Sequence, residues 1–557
     1  ADNFEGWTPT YEYSWEVSND NGTTWNALTS ADATDGDDSY TLTSGEVSKQ
    51  VRGVVSYLDG YGTTEVVASE NLQVKKSAVK DVSNELDLFA HIGGNRDELT
   101  RRIFLHDDEK LIVTGYTYSS NLLGMPTSGN DDLYAAMFES DGGNTWTKIY
   151  GTWAWEEADN STIDGEGNIY FTGTSSYDLN GESASGNDNA LVMKLNSNGE
   201  HLWTRFVGSS SSGRDNAKAA VVDIDGNIYV TGDAEGTVGE SQNRGSRDIF
   251  LSKLSSDGEI VWARSWGSSQ IDRSNNIIID ANGNSYVTGY TRGDFNGMVS
   301  SGGADALTIK FDPNGEILWQ KQFGGSSDDW ANSAVVTNSG ELFISGDTHG
   351  DRGEELNDRN IFLAKFNPET GEQLWIKEYG TENFDSGKLI YDHRTDRKML
   401  IGATSGDLIK GETAGGQDQK KGFIMELDDE DNARTIAQSQ ANSGDVRFAD
   451  LVQSNSQIYI LALSEADQYM GITNKGATDS YILSMPLSAI NRPPLGAPTL
   501  TGDFKVGQTI SIDASPIEDA DNFEGWTPTY EYSWEVSGDN GTTWTALTSA
   551  DATDGDD

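Results

Sequence analysis

Seven copies of one short line, each nearly 60 residues after the last, constrain this chain more than any other feature of its sequence. The clear copies are GNIYFTG (167–173), GNIYVTG (226–232), GNSYVTG (283–289) and GELFISG (340–346); EKLIVTG (109–115), DRKMLIG (396–402) and SQIYILA (456–462) are weaker. Their closing residues Gly115, Gly173, Gly232, Gly289, Gly346, Gly402 and Ala462 are spaced by 58, 59, 57, 57, 56 and 60. A second line (GNTWTKIYG, GEHLWTRFVG, GEIVWARSWG, GEILWQKQFG, GEQLWIKEYG) sets Trp146, Trp203, Trp262, Trp319 and Trp375 five residues ahead of a glycine. Between the two run apolar stretches such as ALVMKL and IFLSKL, so each period reads as four short strands. The last two strands are joined by SNG, SDG or PNG turns that supply the positive φ of a tight hairpin. Seven such units with no helical period predict an all-β chain containing a seven-bladed β-propeller.

The ring has an expected closure. The seventh unit ends at SYILSMPL (480–487) without a Trp-bearing fourth strand, and LDLFAHIGG (86–94) offers one from the other end, with Leu88 in the Trp register before Gly93. Closure removes exposed sheet edges. The sixth unit carries DDEDNARTIAQ (428–438) where the others have Gly-Glu and Trp, which predicts an irregular blade. The composite pattern DxxGNxYVTGxT…GGxDAxxxKFxPNGExLWxxxFGG resembles the bacterial β-propeller repeats found in large secreted and cell-surface proteins, over roughly residues 84–490.

Outside that stretch the two ends repeat each other. Residues 1–38 and 520–557 differ only at Asn19/Gly538 and Asn26/Thr545. Read in the order 495–557 then 39–75, they give about seven alternating segments broken by Gly, Asp and Asn turns, the pattern of an immunoglobulin-type sandwich. This resembles the tandem Ig-like modules of bacterial surface adhesins, without the antibody-type cysteines and with Trp534 as the expected core tryptophan. The domain expectation is therefore 1–78 as the C-terminal part of an Ig-like sandwich, 84–490 as the propeller closed by strand 86–92, and 494–557 as the N-terminal part of the next sandwich. The overlap is what one 519-residue period of a tandem array would show; strand exchange between separate copies is the rival reading.

Composition narrows the partners. With 90 acidic against 38 basic residues the net charge is −52, and the chain lacks the clustered Lys/Arg that phosphate backbones need, so nucleic acid is not an expected partner. No apolar run is long enough to span a membrane. There is no cysteine, hence no disulfide framework and no thiol nucleophile. The acidity fits either a solvated surface in salty surroundings or specific cation binding.

Candidate sites are few. The loop SADATDGDDSY places Asp32, Asp35, Asp37 and Asp38 together, and Asp551, Asp554, Asp556 and Asp557 repeat them; hard oxygens on a Gly-containing loop suit Ca²⁺, although the spacing is not that of an EF-hand. A second acidic set recurs in register: Glu98, Glu156, Asp272, Asp329 and Asp385, with Asp215 displaced by two. These are either a channel-face ring for cations or polyhydroxyl ligands, or caps that accept backbone N–H groups at each turn into the next blade; repetition with the fold favours caps. The five histidines, His91, His106, His201, His349 and His393, fall at unrelated repeat positions, and no HExxH, GxSxG or P-loop occurs. The Trp register resembles the tryptophan lines of quinone-cofactor propellers, while packing between blades is its ordinary role.

The resulting expectation is a non-enzymatic extracellular structural or adhesive repeat protein of the cell surface. Its partners would be neighbouring copies of the same repeat and surface glycans, with Ca²⁺ the one candidate cofactor. Two other classes stand beside it: a glycan-binding adhesin gripping sugars through loops such as GDFNG (293–297) and YDLNG (177–181), and a polysaccharide-active or quinone-dependent enzyme. Fold alone does not separate them.

Overall fold

Three hairpins in succession fold each period into a four-stranded antiparallel sheet. The computed structural model describes residues 80–490 except 107–109, 186–187, 210–212, 350–358, 382–383, 407, 409–418, 429–430 and 440–443; elsewhere it describes 11–18, 24–27, 50–58, 64–68, 72–73, 499–502, 510–513, 535–536 and 545–546. Two units are separable, 1–80 and 81–557.

In the second unit seven sheets form a ring. The fourth blade is typical: Asp272–Ile279, Ser285–Thr291, Asp305–Phe311 and Ile317–Phe323 pair in that order. The first strands of the seven blades are Glu98–His106, Glu156–Ile163, Asp215–Val222, Asp272–Ile279, Asp329–Val336, Asp385–Asp392 and Val446–Gln453. Each touches the first strand of the next blade, and the seventh touches the first, so these strands surround the central channel. The all-β, seven-bladed reading of the repeats holds.

The seventh blade is completed from the other end of the unit. Asp87–Ile92 pairs antiparallel with Asp479–Pro486, outside Val446–Gln453 and Gln457–Ser464. One detail differs from the sequence reading. The pairing shifts register between Ile482 and Leu483, bulging the strand at Phe89. Leu88 therefore packs into the core of blades six and seven, and it is Phe89 whose carbonyl closes on Gly142, the turn glycine of blade one.

The repeat lines have physical reasons. In blades one to five and in blade seven the first strand carries a bulge, at Arg101, Asp159, Lys218, Asn275, Asn332 and Ala449. The residue facing the bulge lies on the second strand, and in five of these blades it is the closing glycine of the repeat line. A Cβ on Gly173, Gly232, Gly289 or Gly346 would lie 1.9 Å from a carbonyl oxygen of the first strand. The Trp register joins blades. Trp146, Trp203, Trp262 and Trp319 each cover the turn glycine one blade further on, at Gly199, Gly258, Gly315 and Gly371, and Trp203 and Trp319 donate Nε1–H to Ser256 O (3.1 Å) and Pro368 O (2.9 Å). Within each blade, the lysine near the end of the apolar stretch packs on the repeat tyrosine, Lys194, Lys253 and Lys310 lying 4.7–5.1 Å from the ring centres of Tyr170, Tyr229 and Tyr286. Tryptophan here is packing.

Blade six departs from the others, as expected: its first strand carries no bulge, and a fifth strand, Lys80–Asp81, is added beyond Ala433–Gln438. Arg397–Thr404, Lys421–Leu427 and Ala433–Gln438 follow Asp385–Asp392 in unbroken order. The altered turn survives because Asp431 takes the left-handed conformation (φ 60°) that glycine takes elsewhere and is held by a buried ion pair with Lys398.

In the first unit, Asn26–Ala27, Tyr11–Ser18, Gln50–Leu58 and Thr64–Ala68 form one antiparallel sheet in that order, with Leu72–Gln73 pairing to Gln50–Leu58. A second sheet, which an immunoglobulin-type sandwich requires, is not found among the described residues. At the far end the described strands are the pairs Thr499–Gly502 with Ile510–Asp513, and Glu535–Val536 with Thr545–Ala546.

Candidate functional site

The register-repeated acids come first. Glu98, Glu156, Asp215, Asp272, Asp329 and Asp385 each open the first strand of a blade, and none is more than 4% exposed. Each accepts a backbone N–H from the turn before it, at 2.6–2.7 Å, from Gly94, Thr152, Ser209, Ser268, Gly325 and Thr381 in turn. Hydroxyls add to this: Ser119 and Thr117 donate to Glu98, and Thr291 and Ser268 to Asp272. The carboxylates thus tie blade to blade. In the seventh blade Val446 stands in this position. Burial pushes Glu98 up to about 7 and Asp272 up to about 6, against the hydrogen bonds that favour their ionised forms. The candidate Ca²⁺ ligands Asp32, Asp35, Asp37, Asp38, Asp551, Asp554, Asp556 and Asp557 lie outside the described residues.

The two candidate sugar-gripping loops are mostly structural. In GDFNG, Phe295 is fully buried in the core of blades three and four, and Asn296 (φ 46°) and Gly297 (φ 87°) make the turn. YDLNG does the same with buried Leu179, Asn180 (φ 52°) and Gly181 (φ 89°). Tyr177 is the large apolar side chain these loops leave exposed, at 47%, beside the exposed polar residues Asp178, Asn180, Asp294 and Asn296.

Tyr177 has company. Trp153 and Trp155, in the connection between blades one and two, are 68% and 57% exposed, and the rings of Trp153 and Tyr177 lie 5.0 Å apart at 60°. Ser176 N–H donates to Trp155 O (3.0 Å), which fixes the two loops together. Beside them, where the first strands begin, a cavity of about 610 Å³ opens between blades two and three. Its lining includes Trp155, Glu157, Asp188, Arg214, Asn216 and Arg247. Ser176 Oγ donates to Asp188 Oδ1 (2.9 Å), Arg247 pairs with Asp233 (2.7 Å) and Glu235 (3.0 Å), and Asn216 Oδ1 has no hydrogen-bond partner among the described residues. The carboxyl of Asp131, buried and outside the cavity lining, is pushed up to about 7 by burial and by the nearby Glu157 and Glu156, and burial also raises Glu157.

Sequence reasoning missed this face, although a signal was present. The connections after Gly208, Gly267 and Gly324 open with serine (SSSSGRD, SSQID) or glycine and serine (GSSDD), whereas the one after Gly151 reads TWAWEE. An aromatic doublet that breaks the repeat is not explained by the fold. The histidines are not brought together: His91 pairs with Asp479, and His393 lies 3.1 Å from Asn338.

Comparison with known proteins bears on the fold. Residues 261–296 match the family model described as β-propeller repeat (SBBP). A stretch of 190 residues, 31% of this chain, is 27% identical to the regulatory protein FlaEY of Caulobacter vibrioides, and the chain spans 19% of that protein's length. Among solved structures, a puromycin hydrolase aligns with 75% of this chain and 58% of its own at 10% identity and a TM-score of 0.40. The polysaccharide lyase Uly1 aligns with 71% and 90% at 11% identity and 0.40. The GH93 α-L-arabinofuranosidase of Fusarium graminearum aligns with 72% and 98% at 7% identity and 0.36. Seven tandem β-propeller repeats, one of them matched by the family model itself, close in this chain into a single ring.

Proposed function

We propose that this chain is a non-enzymatic, extracellular adhesive repeat protein whose propeller binds neutral glycans on the Trp153–Tyr177–Trp155 face. One observation carries the reading: three large aromatic side chains, each about half exposed or more, stand together beside a polar cavity, and such a patch marks a binding surface rather than a core. Sugar rings stack on aromatic faces through their C–H groups, and the neighbouring Asp188, Asn216, Arg214 and Arg247 supply the hydrogen bonds that fix orientation. Weak sites of this kind act together when many copies stand on one polypeptide, which is the role we assign to the repeated ends. Glycan-array binding by the full chain tests it: the wild type is expected to retain a defined set of neutral glycans, and Trp153→Ala with Trp155→Ala to lose them. No binding to any glycan would overturn the reading. Denaturing mass measurement of the native polypeptide tests the tandem array, and a single 60 kDa band would end it.

A second reading, turnover of a bound polysaccharide, rests on Asp131 and Glu157. Burial and carboxylate neighbours raise Asp131 to about 7, and burial raises Glu157 beside it, the kind of shift found in groups that exchange protons near neutral pH. Release of reducing ends or unsaturated products from the array-positive glycan, abolished by Asp131→Asn, would favour it over simple binding.

A further inference from the structure

Across the channel from the aromatic face, a cavity of about 450 Å³ is lined by blades five to seven. It has the opposite character from the chain as a whole. Its lining holds four cations, Arg359, Lys388, Lys420 and Arg447, against two acids, Asp445 and Glu465, in a protein with a net charge of −52. The cations are positioned from several sides. Two of them lie against the Phe384 ring, the Arg359 guanidinium 5.0 Å and the Lys420 ammonium 4.6 Å from its centre. Arg359 also lies 4.8 Å from the ring centre of Trp330 and is anchored by Asp347, while its Nε has no hydrogen-bond partner among the described residues.

Lys388 reaches Asp450 at only 3.4 Å, because the other oxygen of that carboxylate is taken by Arg102 Nε (2.7 Å) and by the Ile103 N–H (3.1 Å). One acid therefore serves two cations. Lys420 is 3.4 Å from Asp445. Arg447 is exposed and makes no ion pair with a described residue. It opens the seventh blade beside Val446, the one blade where the acid of the repeat is missing.

We propose that this cavity binds a small organic anion: a carboxylate or sulfate group on a body about the size of a sugar ring. Four cationic side chains from three blades lining one cavity suit a planar or tetrahedral oxyanion, to which arginine offers paired N–H groups. The remaining wall, Phe384, Phe448, Ile401 and Leu463, is apolar and suits a carbon skeleton rather than a bare ion. The volume lies within the usual range for small ligands, about 300–1,000 Å³. Size is also limited by charge. A long polyanion is repelled by the surrounding acidic surface, whereas a single charged group inside the cavity feels the local cations, since fields from charges more than about 8–10 Å away are screened at physiological salt.

Calorimetric titration of the full chain with glucuronate, glucose 6-sulfate, glucose and inorganic sulfate tests this. Glucuronate or glucose 6-sulfate is expected to bind, glucose not at all, and inorganic sulfate more weakly than either organic anion. Arg447→Ala and Lys420→Ala should each weaken binding about tenfold, the loss of one charge-assisted hydrogen bond, with unchanged melting temperature; Arg447→Lys should restore part of it. Trp153→Ala should leave this binding unchanged. Failure of both organic anions to bind, or equal binding by the wild type and the Arg447→Ala and Lys420→Ala variants, would overturn the proposal. Sulfate binding as tight as that of the organic anions would remove the claim of an organic ligand.

Discussion

His91 and Asp479 stand 388 residues apart in the chain and 2.7 Å apart in the structure. The contact joins the strand contributed from one end of the propeller to the last strand at the other, and it is almost sealed from water, with side-chain exposures of 14% and 0%. Asp479 also accepts the N–H groups of Lys475 (2.9 Å) and Gly476 (3.2 Å). Burial works against its ionised form, but these bonds and His91 together hold its carboxyl below the usual range.

Ring closure is accordingly sensitive at this pair. His91→Ala leaves a buried carboxylate short of a partner and is expected to cost about 1–3 kcal/mol in urea denaturation. A second signature is specific to closure. Opening the strand Asp87–Ile92 bares the edge of Asp479–Pro486, so the variant should show concentration-dependent association. A variant as stable and as monodisperse as the wild type would show that the contact does not hold the ring.

Two kinds of tryptophan should respond oppositely to removal. Trp319 is 9% exposed and covers Gly371 of the next blade; Trp319→Ala is expected to cost about 3–5 kcal/mol and to leave glycan binding in the surviving folded protein intact. Trp153, 68% exposed, should lose binding with a stability change within about 0.5 kcal/mol. Thermal melts read beside the glycan array separate the two, and a large melting loss for Trp153→Ala would place it in the fold instead.

The contrast shows where sequence is informative. Trp203, Trp262 and Trp319 recur because every blade must be packed on the next, so period alone reveals them and also assigns their role. The capping acids from Glu98 to Asp385 are legible for the same reason. What period cannot reveal is chemistry that occurs once. Trp153, Trp155, Arg359 and Arg447 occupy positions where the repeat is silent, and only the ring brings residues from blades five, six and seven around one cavity. Leu88 is misplaced by counting from Gly93, because a one-residue bulge leaves no trace in the spacing. Bulges also re-aim first-strand side chains, by throwing Arg101, Asp159 and Lys218 out of the ladder.

The bulge has its own prediction. A Cβ at Gly289 would meet the Arg273 carbonyl at 1.9 Å and the Ser274 Cα at 2.8 Å, backbone atoms that cannot move without breaking the pairing of two strands. Gly289→Ala should cost on the order of 3 kcal/mol or more. Gly297 has φ +87°, but a Cβ there would meet nothing within 4 Å, so Gly297→Ala should cost only its backbone strain, about 1 kcal/mol. Equal losses at the two positions would mean that steric contact at the bulge is not the constraint.

Stability should fall, not rise, as pH approaches neutrality. Glu98, ordinarily near 4.5, is pushed to about 7, and Asp131 and Asp272, ordinarily near 3.8, to about 7 and 6, in each case mainly by burial. The folded chain then holds protons that the unfolded chain has released, so the stabilisation is complete below the unfolded values and is lost as pH rises through the folded ones. For Glu98 this is on the order of 3 kcal/mol between about pH 4.5 and 7. Asp450 and Asp479 are held low and act in the other direction, their contribution disappearing as pH falls below about 3.8. The expected optimum is therefore near pH 4–5. Repulsion within a chain of charge −52 weakens over the same range, but it is screened in 1 M salt, where the Debye length is about 3 Å. Melting temperatures from pH 4 to 8 in 1 M NaCl isolate the buried carboxyls. The decline should persist there and be shallower in Glu98→Gln, and a flat profile in high salt would assign all of the pH dependence to the surface.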